Sequence, residues 1–364
     1  MDFTGKLNAN EIFASIYNMI ISQQVFADNI HGTFSNLVDK ARTEGTLFGD
    51  SKLFYATDCL GSEPWGNDAE ALNLLRLHRP QDPECQVITL DVFRQIALTV
   101  DNYLSKRAWG TEGAFSDFTS VMTGWIGDTK RIYDSTTYNT YIGTTSTTKG
   151  KQNQVIKLSG IAETGEAKTR AEAMVIAEHL ANLLVDMTDV SRDFNDYGNL
   201  RSYSKDQIMV VWNSKYFNKI RKIDLPTIFH SEGLVDKLGQ EVLPARYFGK
   251  EVAGGTANGT QRSLIEKDYN KVARDNPAYV KNKHVFPGDI IPTGETFGEH
   301  EAYVEDPKII CKVFTKLPPY MSSFEVGTSF FNPKSLTENR YLTFGRNTIQ
   351  YLENYPLITI SADK

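Results

Sequence analysis

The sequence predicts an α+β protein from three observations: a long amphipathic helix near the middle, a long alternating strand just before it, and a β-rich end. In the helix, from about Ala114 to Tyr138, Phe115, Phe118, Val121, Met122, Trp125, Ile126, Ile132 and Tyr133 recur at spacings of three and four. Asp117, Ser120, Asp128, Arg131 and Asp134 fall largely on the other side. At the helical rise such a segment is ~40 Å long, against about three turns for an average globular helix. In the strand, Gln86 to Val100, the even positions carry Ile88, Leu90, Val92, Ile96, Leu98 and Val100, and only Arg94 breaks the alternation. Fully extended it spans ~50 Å. A helix through Val92, Phe93, Ile96 and Val100 is the competing reading of its second half.

Along the chain, Ala9 to Lys40 carries Ile12, Phe13, Ile16, Tyr17, Met19 and Ile20, then Phe26, Ile30, Phe34 and Leu37, at helical spacing. This is either a pair of core helices or an arm that packs on a neighbouring subunit, and Gly45 and Gly49 end it. Lys52 to Thr57 reads as a short aromatic strand. A polar excursion with Gly61, Pro64, Gly66, Pro80 and Pro83 follows, interrupted by a short helix over Ala69 to Leu77. After the long helix, the Thr- and Gly-rich stretch from Thr140 to Gln154 reads as a loop. Gln154 to Leu158 reads as a strand, and Thr169 to Glu172 has capping-box spacing for a helix whose apolar face holds Met174, Ile176, Ala177, Leu180, Leu183 and Leu184. Ile208 to Trp212 is an apolar run suited to a buried strand. Tyr216 to Ile220 starts another helix, ended by Leu225-Pro226. The pattern weakens from Leu234 to Lys283. Beyond it, Ile309 to Phe314, Tyr341 to Phe344, Ile349 to Leu352 and Leu357 to Ser361 read as strands.

The chain has 364 residues, 40% hydrophobic and 23% charged, enough for a core that buries roughly 75% of the unfolded surface. No Pro-rich, Ser-rich or single-charge linker separates compact halves, so interleaved domains are expected. A net charge of -6 argues against a sequence-reading nucleic-acid binder, which needs clustered Lys and Arg; Lys149, Lys151 and Lys157 are a sparse group. DNA nearby, without tight binding, remains compatible with mild acidity. Cys59, Cys85 and Cys311 form no CxxC pair and are too few for a disulfide framework, which fits a reducing cytoplasm. The first residues lack the basic and apolar regions of a secretory signal, and no apolar run reaches the ~20 residues that span a bilayer.

Catalytic and binding motifs are equally sparse. Gly254 to Gln261 has Walker-like glycine spacing but no lysine after Gly259. Asp193 to Gly198 opens like a calcium loop, yet Tyr197 replaces a ligand and position twelve is Ser204. The six histidines, His31, His78, His179, His230, His284 and His300, make no HExxH, and there is no GxSxG elbow. Glu299, Glu301, Glu305 and Asp306 read as paired catalytic carboxylates or, more simply, as a solvated turn or contact patch. Trp65 and Trp109 read as sugar platforms or as anchors of turns and contacts. No catalytic residue, cofactor or metal site is expected.

The segments from Gln95 to Phe118 and from Val210 to Ile220, together with the order of the parts, resemble the major capsid proteins of tailed bacteriophages with the Hong Kong 97-type fold. The resemblance covers most of the chain and implies an N-terminal arm at 1–49, an extended β loop at 50–103 and a peripheral domain with the spine helix at 104–150. An axial domain at 151–282 and a return to the peripheral sheet at 283–364 complete it. It implies a structural protein, not an enzyme, that forms hexamers and pentamers of an icosahedral head around double-stranded DNA. Assembly in the host cytoplasm, with separate scaffold, portal and decoration proteins as partners and no membrane, belongs to the same expectation. Intersubunit contacts are expected at Ile12, Phe13, Ile16, Tyr17, Phe54, Tyr55, Ile88, Leu90, Ile96 and Leu98, and peripheral-domain core at Phe118 and Trp125. Some family members cross-link through an extended-loop lysine. From Ser51 to Ser105 the only lysine is Lys52, at the loop's base, so no cross-link is expected. The arm begins within the first dozen residues, which fits a separate scaffold or none.

Two other readings stay open. An encapsulin-type shell would share the fold and carry cargo enzymes in place of DNA. A soluble α+β enzyme or carbohydrate-binding protein would use the acidic cluster and the tryptophans.

Overall fold

The computed structural model describes residues 36–45, 49–62, 77, 79–101, 112–147, 150–221, 239–269 and 284–363. In chain order these form α1 (Asn36–Ala41), β1 (Arg42–Glu44), β2 (Ser51–Ala56), β3 (Glu84–Asp101), α2 (Glu112–Thr144), β4 (Asn153–Ile156) and α3 (Gly165–Thr188). Next come β5 (Met209–Asn213), α4 (Ser214–Arg221), β6 (Gly239–Leu243), β7 (Gly249–Val252), β8 (Gly255–Thr256), β9 (Gln261–Ser263), β10 (Lys267–Asp268), β11 (His284–Val285), β12 (Thr296–Phe297) and β13 (Ala302–Glu305). The last four strands are β14 (Ile309–Phe314), β15 (Tyr320–Asn332), β16 (Thr337–Asn347) and β17 (Leu357–Ala362).

The central sheet runs β4-β17-β14-β5-β6 and is apolar on both faces. One face packs against α3 and α4 through Ile176, Leu180, Leu184, Tyr216, Val313 and Ile360. The other packs against the end of α2 and against α1 through Tyr138, Ile142, Leu37, Val211, Phe314 and Leu357. Because β14 has helices on both sides, all six of its residues are buried, as expected for an inner strand covered on both faces.

A second sheet, β1-β15-β16-β3-β2, is wide at its base and narrow beyond it. β2 pairs with β3 only over Glu84 to Thr89, and β1 with β15 only over Tyr320 to Ser322. The remainder is a three-stranded blade of β15, β16 and β3. Between β6 and β14 the chain forms a β-rich insert, with the small sheet β7-β13-β9 and a core of Ala257, Tyr269, Val285, Ile291, Phe297 and Ala302.

Several expectations change here. The strand β3 is longer than expected, with 18 residues, and α2 has 33 residues, so the Thr-rich segment after Tyr138 continues the helix as far as Thr144. Thr136, Thr140 and Thr144 each turn their hydroxyl back onto a carbonyl one turn earlier, at 2.7–2.8 Å. Burial of Tyr138 and Ile142 holds this poorly helical stretch in place. α3 starts at Gly165, not Thr169; Thr164 takes the N-cap without a side-chain bond, and the Thr169 hydroxyl donates to the Gly165 carbonyl. The Ile349 to Leu352 segment is not a strand, whereas β15 was not anticipated.

Sheets also join strands from both sides of the expected boundaries. β3 pairs along Leu90 to Asp101 with β16, so the loop is not a closed two-stranded unit. β14 and β17 share the central sheet with β4 and β5, across the boundary placed at 282/283. Leu37, Val38 and Ala41, expected in the arm, sit in the subunit's own core. Ile12, Phe13, Ile16 and Tyr17, the helix over Ala69 to Leu77, and Trp65 and Trp109 lie outside the described residues.

Candidate assembly interface

The β2–β3 ribbon has one face turned inward and one outward. Antiparallel register sets Leu53 opposite Val87 and Tyr55 opposite Cys85. These side chains point to solvent, with Leu53 at 51%, Val87 at 47% and Tyr55 at 64% exposure. On the inward face Ile88 and Leu90 are sealed against Met321 and Leu352, with Phe54 packed partly behind them. Lys316 lies 5.3 Å over the Phe54 ring and 5.2 Å over Tyr355. Period two was therefore read correctly, but Ile88 and Leu90 are core residues of this subunit and are not free to meet a neighbour. Tyr55 is exposed, and Ile96 and Leu98 are half-buried.

The ribbon is anchored firmly at its root. The Gln86 amide donates to the Tyr351 carbonyl at 2.8 Å and its oxygen accepts from the Glu353 N–H at 3.0 Å. Asp58 accepts from the Leu200 N–H at 2.9 Å and from Arg192 at 2.6 Å. The Leu200 N–H, then Arg192, then the Cys59 N–H hold its carboxyl down at about 2. Arg201 donates to the Thr57 carbonyl beside it.

Where the blade leaves its base, α2 braces it. Arg94 and Arg346 both lie on the Tyr133 ring, at 4.9 and 5.5 Å, and Arg346 also donates to its hydroxyl at 2.9 Å. Lys130 sits 5.3 Å over Phe344 and pairs with the buried carboxylate of Asp134 at 2.8 Å. The other Asp134 oxygen accepts from the Tyr320 hydroxyl at 2.6 Å. Arg94 reaches on to Glu266 of the insert at 2.6 Å, where His284 bonds the second oxygen at 3.1 Å. Burial works to raise the Glu266 carboxyl, but the His284 bond and the Arg94 charge prevail and hold it below its ordinary value. Three bodies, helix, blade and insert, thus meet around one aromatic ring.

Further apolar groups are exposed on the same elements. Phe330, Phe331 and Leu336 lie near the tip of the β15–β16 hairpin. On α2, Trp125 is 56% exposed, so it is not part of the subunit core as expected; the neighbouring Ile126 is buried in its stead. The side chain of Phe118 lies outside the described residues. Sequence reasoning missed Leu53, Val87, Phe93, Phe330 and Phe331. The signals available were the odd-position apolar residues of β3 and an aromatic pair just before the turn at Asn332-Pro333.

The segments singled out for chemistry are tied up separately. Glu301 pairs with Lys267 at 2.6 Å, Glu305 with Arg262 at 2.5 Å and Asp306 with Lys250 at 3.0 Å, while Glu299 lies 3.6 Å from His300. Four carboxylates thus go to four different partners and do not converge. In the calcium-like segment, Asp193 pairs with Lys151, and Asp196 accepts from Gln152 at 2.8 Å and from the Tyr351 hydroxyl at 2.5 Å. The Gly254 to Gln261 loop closes on an Asn258 turn that accepts the Thr260 N–H at 3.1 Å. Among the described residues no group of three or more His, Cys, Asp or Glu is placed to hold a metal ion, and no helix is long and apolar enough to cross a membrane.

No known protein-family profile matches the sequence, and no curated protein matches it. Its fold does have solved counterparts. A chain of the capsid structure of Staphylococcus phage Andhra matches 94% of this chain and 87% of its own length at 11% identity and a TM-score of 0.60. A chain in the structure of the head fiber and inner core protein gp22 of native bacteriophage P68 matches 93% of this chain and 86% of its own, at 10% identity and a TM-score of 0.59. The chain therefore has the mixed α+β fold of a phage capsid structure over nearly its whole described length.

Proposed function

We propose that this chain is the major capsid protein of a tailed phage, a structural subunit that assembles through hexamers and pentamers into an icosahedral head around double-stranded DNA. The observation that carries this reading is the match to the Andhra capsid structure over 94% of the chain. The exposed Leu53, Tyr55 and Val87 face supports it, since apolar groups clustered on an exposed sheet face are stabilised when a neighbour covers them. At ~25 cal/mol per Å² of apolar surface, a modest overlap outweighs exposed ion pairs worth at most ~1 kcal/mol each. Contacts repeated around a closed shell add as avidity, so each can be weak.

In this reading the arm residues Ile12, Phe13, Ile16 and Tyr17, together with Tyr55, Ile96 and Leu98, touch neighbours, and Trp125 is covered on assembly. The arm, extended-loop, axial and peripheral parts follow the Hong Kong 97 plan, with α2 as the spine. Assembly takes place in the host cytoplasm with separate scaffold, portal and decoration proteins, and the shell encloses DNA without reading its sequence. The test is expression followed by size-exclusion chromatography and negative-stain microscopy, with and without the proteins encoded beside it. Shells tens of nanometres across are expected. A discrete monomer or dimer under both conditions overturns the reading, and shells filled with a cargo enzyme in place of DNA redirect it to an encapsulin.

A further inference from the structure

Beyond the base of the blade, two strand edges have no paired strand among the described residues: Arg94 to Asp101 on β3 and Gly327 to Asn332 on β15. Each presents a row of main-chain N–H and C=O groups, the template by which one chain adds to another. The two edges differ in how they are guarded. That of β3 carries Arg94 and Asp101, charges of the kind that blunt an edge, and Arg94 is bound to the insert. That of β15 has no charge, Glu325 lying just before it, and no proline. Its bulge lies at the base, between Ser322 and Glu325, so the outer part stays in unbroken register with β16. Gly327, Thr328, Ser329, Phe330 and Phe331 are all exposed.

The register of the blade indicates what would fit there. One cross-strand row runs Ile96, Leu342, Gly327 and stops at the glycine. A Cβ on Gly327 would meet nothing within 4 Å. The adjacent row, on the opposite face, runs Ala97, Tyr341, Thr328. A second β15 laid antiparallel with Ser329 on a two-fold axis brings its Phe331 opposite Gly327 and its Phe330 opposite Thr328. An aromatic ring then fills the space over the glycine, a pairing known to support edge glycines. Charge points the same way. Antiparallel copies bring the Glu325 end of one strand to the Lys334 end of the other at both ends of the seam, whereas parallel copies set like against like.

We infer that the outer edge of β15 is a self-complementary interface, joining β15 of two copies antiparallel about Ser329 into one six-stranded sheet. The inference rests on the shell-forming reading for its partner, a second copy of this chain.

The test is disulfide trapping of Ser329→Cys in a background of Cys59→Ser and Cys85→Ser; the third cysteine, Cys311, is buried. Facing residues of an antiparallel pair lie ~4.5–5.5 Å apart at Cα, within reach of a disulfide. Lys334→Cys, on the same exposed hairpin, is the collision control, since its counterpart would be ~34 Å away. Copper phenanthroline is the oxidant, and dimer is read on non-reducing gels of both soluble and particulate fractions. The expected result is about tenfold more dimer for Ser329→Cys than for the control in either fraction. No excess in both fractions overturns the pairing, including the case in which another segment of the chain occupies the edge. Microscopy of the same samples separates the two ideas: shells without trapped dimer overturn the pairing alone, and trapped dimer without shells supports the pairing and counts against the shell. Ser329→Lys, which sets two ammonium groups face to face, should abolish trapping between a Thr328→Cys copy and a Phe330→Cys copy, positions that face each other across the seam, while leaving thermal unfolding of the soluble chain unchanged; undiminished trapping overturns the inference.

Discussion

The side-chain ammonium of Lys312, in the middle strand of the central sheet, donates to the main-chain carbonyl of Thr145, the first residue beyond α2. A buried cation thus meets the negative end of a 33-residue helix that has no basic residue in its own last turn.

Lys312 is 1% exposed, and burial draws its ammonium down from 10.5 to about 7. In the unfolded chain it keeps its proton up to the ordinary value. Between those limits the unfolded state binds more protons, so this group makes stability rise with pH across that window. Lys312→Met should remove the dependence, and the stability difference between the two proteins should change by an amount approaching ~1.4 kcal/mol per pH unit above 7. Urea unfolding of the soluble chain at three pH values checks it, and a constant difference would sink the idea.

Asp134→Ala should be among the costliest single changes in the base of the blade. It removes the carboxylate that pairs with Lys130, whose side chain is 8% exposed, and the acceptor of the Tyr320 hydroxyl. Breaking one side of a buried pair costs about 3–5 kcal/mol, which denaturant unfolding will register. A loss below ~1 kcal/mol, the range of an exposed pair, would mean that the site is wet.

Three glycines of α2 should respond with opposite signs to alanine. At Gly143 a Cβ would lie 2.0 Å from the Tyr247 carbonyl oxygen, so the insert's leading turn must move away, at a cost of about 1–3 kcal/mol. At Gly124 and Gly127 it meets nothing within 4 Å, and each substitution should stabilise by roughly 0.5–1 kcal/mol through helix propensity. Thermal melts of the three variants decide this, and a destabilised Gly124→Ala would contradict it.

The two faces of the β2–β3 ribbon should separate folding from assembly. Leu53→Lys combined with Val87→Glu, an opposite-charge pair across the ladder, should leave the soluble chain within ~0.5 kcal/mol of its normal stability and prevent particle formation. Ile88→Asp, which buries an unpaired carboxylate, should cost several kcal/mol and give insoluble protein. Normal particles from the Leu53/Val87 variant would place the contact elsewhere.

Much of this architecture was legible in the sequence. Alternation located β3, three-and-four spacing located α2 and α3, and continuous apolar runs located β5 and β14. The errors have physical reasons. Periodicity says that Ile88 and Leu90 need cover, but not whether this chain or its neighbour provides it. It likewise assigned Trp125 to the subunit's interior because an apolar stripe does not show which of its residues the subunit itself covers. The last turns of α2 are Thr-rich and hold their helical form through packing around Tyr138 and Ile142, which no local propensity encodes. β15 escaped notice because Gly327 and the serines at 322, 323 and 329 break its apolar pattern, and because its partner β16 is itself mostly half-buried. Sheet membership was hidden for a related reason: β14 and β17 read as strands, but nothing local indicates that they join β4 and β5.

The placement of β17 bears on how the protein is made. It lies between β4 and β14, yet its first residue, Leu357, leaves the ribosome roughly two hundred residues after β4 has emerged. Until then β4 has no strand to pair with among the described residues and the sheet stops at β14. Folding of this sheet therefore waits until β17 has emerged and is slow, as for any topology dominated by distant contacts. Nascent chains crowded on one message would stay unable to complete this sheet, and so to interlock, until β17 is made, a timing device that comes from strand order alone.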